Sequence, residues 1–270
     1  MTDKYAVIGN PIAHSKSPQI HAMFAQQTGQ DISYEAILAP AGPDGFFTAI
    51  ETLRNNGYKG CNVTVPFKQH AYQLMGVQSE DVRNAMAANT LKFLDGGIQL
   101  ENTDGIGLVR DLEKNLHSKL RGKKLLLMGA GGAARGVVLP LHHAGAKITV
   151  ANRTAEKAYM LAERFEFDIS SCSYEELANS KFDFIINATS AGLKDEMPDI
   201  PETIFTPGAL AYDMMYGKET PFMKFAHTNG AAIVADGLGM LIEQAAESFF
   251  IWRGVRPQTA PVIAALRNAQ

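Results

Sequence analysis

Short apolar runs rich in β-branched residues alternate with helical stretches along the whole chain, and that alternation is the tightest constraint on how it folds. "KYAVIG" (4–9) reads as a strand and "SPQIHAMFAQQTG" (17–29) as a helix stopped by Gly29. "SYEAILA" (33–39) is the next strand, and "PDGFFTAIETLRNNG" (43–57) a second helix with a glycine stop. "KGCNVTV" (59–65) is a third strand, and "ANTLKFLDGGIQLENTD" a hairpin turning at Asp95-Gly96-Gly97. A polar helix is expected over 105–119. A second series follows: "KKLLLMG", "AKITVANRT", "FDFIINATSAG", "GALAYDMMYG" and "AAIVADGLG" read as strands, and two helices close the chain. Strands alternating with helices build parallel sheets with covered faces, an α/β class. No repeat of solenoid period and no Pro- or Ser-rich linker interrupts the pattern. The division is expected near Asp104, giving two α/β domains: residues 1–103 with the returning helices 238–270, and residues 104–237.

The remaining bounds are those of an ordinary globular protein. The 270 residues are 46% hydrophobic and 20% charged, with a formal net charge of -3. Lys and Arg are scattered, so no nucleic-acid or membrane footprint is expected. Cys61 and Cys172 are isolated, which excludes a disulfide framework or a CxxC metal or redox motif. "MTDKYAVIGN" lacks the apolar core of a signal peptide, and no run approaches transmembrane length. A reducing, cytoplasmic setting is the expectation.

The sharpest local signal is "LLLMGAGGAARG". Gly129-x-Gly131-x-x-Ala134 follows a predicted strand and opens a predicted helix, the context that separates a dinucleotide site from a chance glycine turn in a βα unit. Gly129 allows the tight turn, Gly131 lets backbone approach a pyrophosphate, and Ala134 allows close helix–sheet packing. The helix start offers N–H groups to phosphate. The next strand, "ITVANRT", indicates which dinucleotide. An NAD site usually places an acid at that strand end for the ribose 2′-OH. Here the end carries Asn152, Arg153 and Thr154, with Lys157 one turn on. A guanidinium, a hydroxyl and an amine suit a 2′-phosphate, hence NADP. A helix cap beside an exposed arginine is the competing account of the same residues.

Three other stretches carry polar residues that need a reason. In "NVTVPFK" (62–68) a strand runs into Pro66, which suits the first position of a helix, and Lys68 then falls in the first turn. A cation there opposes the helix dipole. It is either a solvated lysine in a poor position or an amine held for chemistry. In "GNPIAHSKSPQIH", Ser17-Pro18 makes a good N-cap and N1 pair, whereas Ser15 has no such role. Two hydroxyls beside a helix start can bind a carboxylate. His14 and His21 lack partners at ligand spacing and read as ordinary polar residues, not metal ligands. In "ENTDG", Asp104 either caps a helix or serves the site. A carboxylate, a lysine and a dinucleotide site together suit alcohol oxidation, which needs a hydride acceptor, a proton-exchanging group and a group that orients the hydroxyl.

The motifs "GNPIAHSKSP", "NVTVPFK", "NTDG", "GAGGAARG", "NRT", "NATSAG", "YDMMYG" and "DGLGMLIEQA" occur in order over residues 9 to 245. With them the sequence resembles the shikimate dehydrogenase family over essentially its whole length. The resemblance implies a substrate domain, a Rossmann-type NADP domain, an active site in the cleft between them, and reversible NADPH-dependent reduction of 3-dehydroshikimate to shikimate on the route to chorismate and aromatic amino acids. It implies Lys68 and Asp104 as catalytic residues. Ser15 and Ser17 match the family's carboxylate-binding serines, Thr64 its strand threonine, Asn89 its hydroxyl-binding asparagine, and Tyr216 and Gln244 its substrate-bordering pair. For the cofactor the match runs through Gly129, Ala130, Gly131, Gly132, Ala133, Asn152, Arg153, Thr154 and Lys157. Thr189, Met214 and Gly237 fall where the family lines the nicotinamide half. Met86 departs from the pattern, standing where a glycine is expected. No metal is implied, and a monomer or homodimer is expected. Two rivals stand beside this reading: a quinate/shikimate dehydrogenase of broader specificity, which would more often use NAD, and a non-catalytic NADP-binding sensor, which would be free to lose Lys68 or Asp104.

Overall fold

The computed structural model describes residues 2–269, the side chain of Leu193 excepted. The chain forms two compact units, Met1–Gly107 with Ile242–Gln270, and Leu108–Leu241.

In the first unit the strands are β1 (Asp3–Gly9), β2 (Ile32–Leu38), β3 (Tyr58–Val63), β4 (Val77–Gln78), β5 (Thr90–Leu94) and β6 (Gly97–Glu101). Helices α1 (Ser17–Thr28), α2 (Pro43–Asn55), α3 (Lys68–Tyr72) and α4 (Glu80–Ala85) lie between them. The sheet order is β2-β1-β3-β5-β6-β4. The pairs β1–β2 and β1–β3 are parallel, whereas β5 runs antiparallel to both β3 and β6. β1 is buried from Tyr5 to Gly9, as an inner strand covered on both faces should be, while the edge strand β2 exposes most of its residues. The hairpin β5–β6 pairs Leu94 with Gly97 and turns on Asp95-Gly96. Phe46, Ile50, Phe67, Leu91 and Leu100 fill one core, with Phe46 stacked on Phe67 at 5.2 Å. Later in the chain come α5 (Asp104–Arg110), α9 (Leu238–Arg253) and α10 (Ala260–Arg267). Gly60 of β3 shows why α9 sits so close to the sheet. A Cβ there would stand 2.6 Å from Trp252 Nε1, and that indole donates to Leu91 O at 3.0 Å.

The second unit holds β7 (Lys124–Met128), α6 (Gly132–His143), β8 (Lys147–Ala151), α7 (Ala155–Ala162), β9 (Ser170–Cys172), β10 (Phe182–Asn187), β11 (Phe205–Asp213), α8 (Pro221–Thr228) and β12 (Ile233–Ala235). Its sheet order is β12-β11-β10-β7-β8-β9, with every pair parallel. Counted from β7, that is the doubly wound order 3-2-1-4-5-6 of a Rossmann fold.

The structure corrects several local expectations. Strand β3 stops at Val63. Phe67 N–H then donates to Thr64 O at 2.9 Å, closing a turn that holds Val65 and Pro66 outside any helix. Pro66 is therefore not the first helical residue; Lys68 is, and α3 has only five residues. Ser17 is the first residue of α1 rather than its cap, and its N–H donates to Ser15 Oγ at 3.3 Å. The helix expected over 105–119 ends as α5 at Arg110 and continues only as one π turn, Asp111–Asn115. Buried Asp111 explains the irregularity: its carboxylate accepts from Tyr212 Oη at 2.6 Å and Asn115 Nδ2 at 2.9 Å.

Met86, the residue standing in place of glycine, ends α4 with φ 50 and ψ 39, in the left-handed region. That conformation costs a non-glycine residue roughly 1–2 kcal/mol, part of which glycine returns through its own chain entropy. Met86→Gly should therefore be more stable than Met86→Ala by about 1 kcal/mol in urea unfolding, since both lose the same side chain. Equal stabilities would show that φ at this position carries no strain.

Candidate active site

In the first unit the candidate substrate residues gather at one end of the sheet. Ser15 and Ser17 follow the carboxyl end of β1, and Thr64 and Lys68 follow β3. β5 is antiparallel, so its amino end lies at this same edge: Val63 N–H donates to Asn89 O at 2.8 Å. Asp104 follows β6. In open α/β sheets ligands bind outside the carboxyl ends of strands, where neighbouring connections diverge. Thr64 sits over Gly9, where a Cβ would stand 2.5 Å from Thr64 Cγ2, so glycine at the end of β1 makes room for the threonine.

Four of the candidates touch. Lys68 Nζ donates to Asp104 Oδ2 at 2.5 Å, with the carboxylate 14% exposed and the lysine 31%. Asn89 Nδ2 donates to Asp104 Oδ1 at 2.8 Å and to Gln244 Oε1 at 3.2 Å. Behind them is a buried polar network. Asn89 Oδ1 accepts from Thr103 N at 2.9 Å and Thr90 Oγ1 at 2.9 Å, which fixes the orientation of the amide. Asn62 Nδ2 donates to Asn89 O, Thr90 Oγ1 and Ser248 Oγ at 3.1, 3.1 and 2.9 Å. Its Oδ1 accepts from Tyr34 Oη at 2.7 Å. Asn102 Oδ1 accepts from Asp104 N at 3.1 Å. Thus the carboxylate is oriented by Asn89 and paired with the amine, while the amine remains partly open to a ligand. Phe67, the residue before Lys68, is buried and anchors the start of α3.

His21 is not the ordinary polar residue its sequence context implied. It is wholly buried, stacked on Tyr34 at 4.1 Å and close to Trp252 and Phe249. Burial pushes its pKa down to about 3 from 6.5. Between those values the unfolded chain binds a proton that the folded one refuses, so stability rises with pH across the window and is lost as pH falls through it. The loss should be about 1.4 kcal/mol per pH unit below the ordinary histidine value. His21→Phe keeps an aromatic ring and removes the titration. Between pH 7 and pH 5 the wild type should lose about 2 kcal/mol more unfolding free energy than the variant. Equal losses would show that His21 accepts its proton inside the fold.

In the second unit, a cavity of about 1090 Å³ opens at the carboxyl ends of β7, β8 and β10. That volume lies just above the roughly 300–1,000 Å³ of small-molecule and cofactor sites, room enough for a ligand of dinucleotide size. Gly129 to Ala133, Asn152, Arg153, Thr154, Lys157 and Thr189 all line it. Gly129 has φ 106, and a Cβ on it would approach Ala188 O and Thr189 Cγ2 to 3.2 Å, so the turn requires glycine. A Cβ on Gly131 would meet nothing within 4 Å, and one on Gly132 only Arg135 Nη2 at 3.8 Å. Both positions line the cavity at the start of α6, so bare backbone N–H groups face it, a setting that suits phosphate. Asn152 Nδ2 donates to Thr154 O at 2.9 Å and braces the loop that presents the exposed Arg153 and Thr154. The acids on this cavity, Glu175, Glu196 and Asp199, come from other segments, and none stands at the end of β8. The residues present therefore fit a dinucleotide carrying a 2′-phosphate.

Met214, Tyr216 and Gly237 also belong to the second unit but are not among the residues lining this cavity. Met214 and Tyr216 follow β11, and Gly237 follows β12. Sequence reading missed one wall of the cavity. Tyr174, after β9, lines it together with Arg153; burial pushes its phenol up to about 12, and the Arg153 charge draws it partly back. β9 has three residues, "SSC", and no apolar periodicity to betray it.

A Rossmann sheet with a glycine turn and no acid after its second strand, in the same chain as a lysine–carboxylate pair at a sheet end, defines an NADP-linked oxidoreductase of the alcohol–ketone type. Comparison with known proteins narrows the class. The substrate binding domain model of shikimate dehydrogenase matches residues 7–91, the shikimate/quinate 5-dehydrogenase model residues 111–194, and the shikimate 5′-dehydrogenase C-terminal domain model residues 237–267. The chain is 54% identical over 271 residues to a shikimate dehydrogenase (NADP(+)) of Methylobacillus flagellatus, covering 99% of this chain and 100% of that protein. Among solved structures, an Ael1 enzyme from Pseudomonas putida is 47% identical with a TM-score of 0.94, covering 98% of each chain. Shikimate 5-dehydrogenase from Thermus thermophilus, in complex with NADP(H) and shikimate, is 32% identical with a TM-score of 0.88, covering 100% of each chain. The chain belongs to the shikimate dehydrogenase family.

Proposed function

We propose that this protein catalyses the reversible NADPH-dependent reduction of 3-dehydroshikimate to shikimate. The observation that carries the reading is the contact of Lys68, Asp104 and Asn89 at the strand ends of one unit, in a chain whose other unit is a Rossmann fold with Arg153 and Lys157 in its nucleotide cavity. The first unit binds the substrate, and the second holds the cofactor through Gly129 to Ala133, Asn152, Arg153, Thr154, Lys157, Thr189, Met214 and Gly237.

Each residue has a definite task in this reading. The hydroxyls of Ser15, Ser17 and Thr64 bind the substrate carboxylate, an arrangement that needs no buried cation. Asn89, Gln244 and Tyr216 border the ring and its hydroxyls. Asp104 holds the reacting oxygen in register with Lys68 and keeps the ammonium aimed. NADPH, when bound, supplies the hydride that reduces the carbonyl carbon. Lys68 gives a proton to the carbonyl oxygen as negative charge develops on it, and recovers that proton in the oxidative direction. One hydride and one proton convert the ketone to the alcohol, so the step balances. Asp104, held by Asn89, accepts from the Lys68 amine and keeps it aimed at the reacting oxygen.

We further place the protein in the cytoplasm as a monomer or homodimer without nucleic-acid or membrane partners. Among the described residues no helix is long and apolar enough to cross a membrane. Turnover measured with shikimate and quinate, each with NADP and NAD, tests the assignment. Shikimate with NADP should be the fastest of the four combinations. Faster turnover of quinate, or of either substrate with NAD, would favour the broader dehydrogenase class instead.

A further inference from the structure

The second unit contains a buried carboxylate that the reaction itself does not use. Asp213, the last residue of β11, is 0% exposed. Its Oδ2 accepts from Asn187 Nδ2 at 3.1 Å and Thr220 Oγ1 at 2.6 Å, and its Oδ1 from Met215 N at 2.9 Å. Among the described residues no cation pairs with it; three neutral donors meet its charge. Asn187, the last residue of β10, is 1% exposed and equally committed. Its Oδ1 accepts from Thr189 N at 3.1 Å and Thr189 Oγ1 at 2.7 Å, and its backbone oxygen accepts from Met214 N at 3.0 Å.

We propose that Asp213 and Asn187 form a positioning pair that fixes the nicotinamide half of the cofactor site. The inference rests on the NADP reading above and goes beyond it, because neither side chain is assigned to cofactor or substrate. Three connections meet at this pair: those after β10, β11 and β12, which carry Thr189, Met214 and Gly237. Asn187 holds Thr189 through two bonds to one oxygen. Asp213 holds Met215, and Met215 O in turn accepts from Gly237 N at 2.8 Å. The packing leaves no slack. A Cβ on Gly237 would stand 2.3 Å from Met214 O, and one on Gly192 would stand 2.9 Å from Met215 Sδ.

Burying a carboxylate is costly unless its acceptors are filled, and two matched apolar side chains could join the strand ends as well. Apolar contact is non-directional, however. It cannot fix the backbone N–H of Met215 and the hydroxyl of Thr189 at once. A carboxylate facing a carboxamide can, since the pair offers acceptors to both loops and one donor between themselves. What the pair adds beyond cohesion is orientation of the loops.

The test exchanges the two groups. D213N sets two amides face to face, N187D sets two carboxylates face to face, and the double variant D213N/N187D restores one carboxylate opposite one carboxamide. In the double variant the carboxylate, now on the β10 side, still accepts from both Thr189 donors. The carboxamide, now on the β11 side, still accepts from Met215 N while its two N–H groups donate to that carboxylate and to Thr220 Oγ1, which turns from donor to acceptor. Dissociation constants are measured by calorimetry for NADP and for 2′,5′-ADP, which carries the adenosine and the 2′-phosphate but no nicotinamide. Each single variant should raise the NADP Kd by about tenfold or more, equivalent to ~1.4 kcal/mol, and leave the 2′,5′-ADP Kd within about threefold. The double variant should bring the NADP Kd back to within about threefold of wild type. Should D213N fail to fold, N187D and the double variant still decide the matter. Unchanged NADP binding in N187D, equal weakening of both ligands, or a double variant no better than N187D would overturn the proposal. A wild-type protein that binds neither ligand would instead overturn the NADP reading on which it rests.

Discussion

Lys68→Met lowers kcat by at least about a hundredfold, while the shikimate KM moves by only a few-fold. A positioned acid/base contributes about 10²–10⁴-fold to rate, and its contribution arises when charge develops on the reacting oxygen. Loss of such a group falls on kcat more than on KM. The candidate carboxylate-binding hydroxyls of Ser15, Ser17 and Thr64 remain, as does the Asn89 amide. Methionine keeps the apolar stem of lysine and removes only the amine, so packing is a poor explanation for any loss. The amine reaches Asp104 at 2.5 Å instead of pointing into solvent. The helix it opens has only five residues, so the macrodipole is a smaller influence on it than the facing carboxylate. Steady-state kinetics in both directions, on protein whose thermal unfolding matches wild type, decides the point. A kcat within a few-fold of wild type would remove Lys68 from the chemistry and leave Asp104 as the next candidate.

Arg153→Ala weakens NADP binding by about tenfold to a hundredfold and leaves NAD binding nearly unchanged. Hydrogen bonds to a charged group contribute roughly 1.5–3 kcal/mol, and ~1.4 kcal/mol is tenfold in affinity. Arg153 is exposed on the cavity wall and makes no ion pair among the described residues, so its removal leaves no buried group unsatisfied. The effect should therefore track the 2′-phosphate rather than the fold. Titrations with NADP, NAD and 2′,5′-ADP separate the two. Equal weakening of NADP and NAD would assign Arg153 a structural task instead.

Where the sequence was legible, the physics was local and repeated. Strands β7 and β10 carry the apolar runs "LLLM" and "FII" because parallel strands are covered on both faces. Gly29 and Gly57 stop their helices with φ 64 and φ 76, conformations glycine adopts freely. The glycine turn after β7 was legible for the same reason. Less was visible where long-range contacts decide. Pro66 invites a helix start, yet the Phe67-to-Thr64 bond holds it in a turn. His21 looks polar in sequence, but the aromatic rings of Tyr34, Phe249 and Trp252 come from distant segments. Tyr174 lay hidden because β9 is too short to carry a period. Asp213 and Asn187 stand 26 residues apart, and nothing in either neighbourhood reveals that they meet. Lys68 and Asp104 stood out locally as polar residues in need of a reason, whereas Asn89 and Gln244 came from family motifs alone. Their mutual contacts are a property of the folded sheet end that no spacing rule supplies.

The most direct test of the account is the appearance of NADPH absorbance when shikimate and NADP are mixed with the wild-type protein and, in parallel, with Lys68→Met. The account predicts a steady rise with wild type, its reversal when 3-dehydroshikimate and NADPH are supplied, and a rate at least about a hundredfold lower with the variant. No rise with folded wild-type protein that binds 2′,5′-ADP would contradict the assigned reaction, and equal rates for the two proteins would contradict its mechanism.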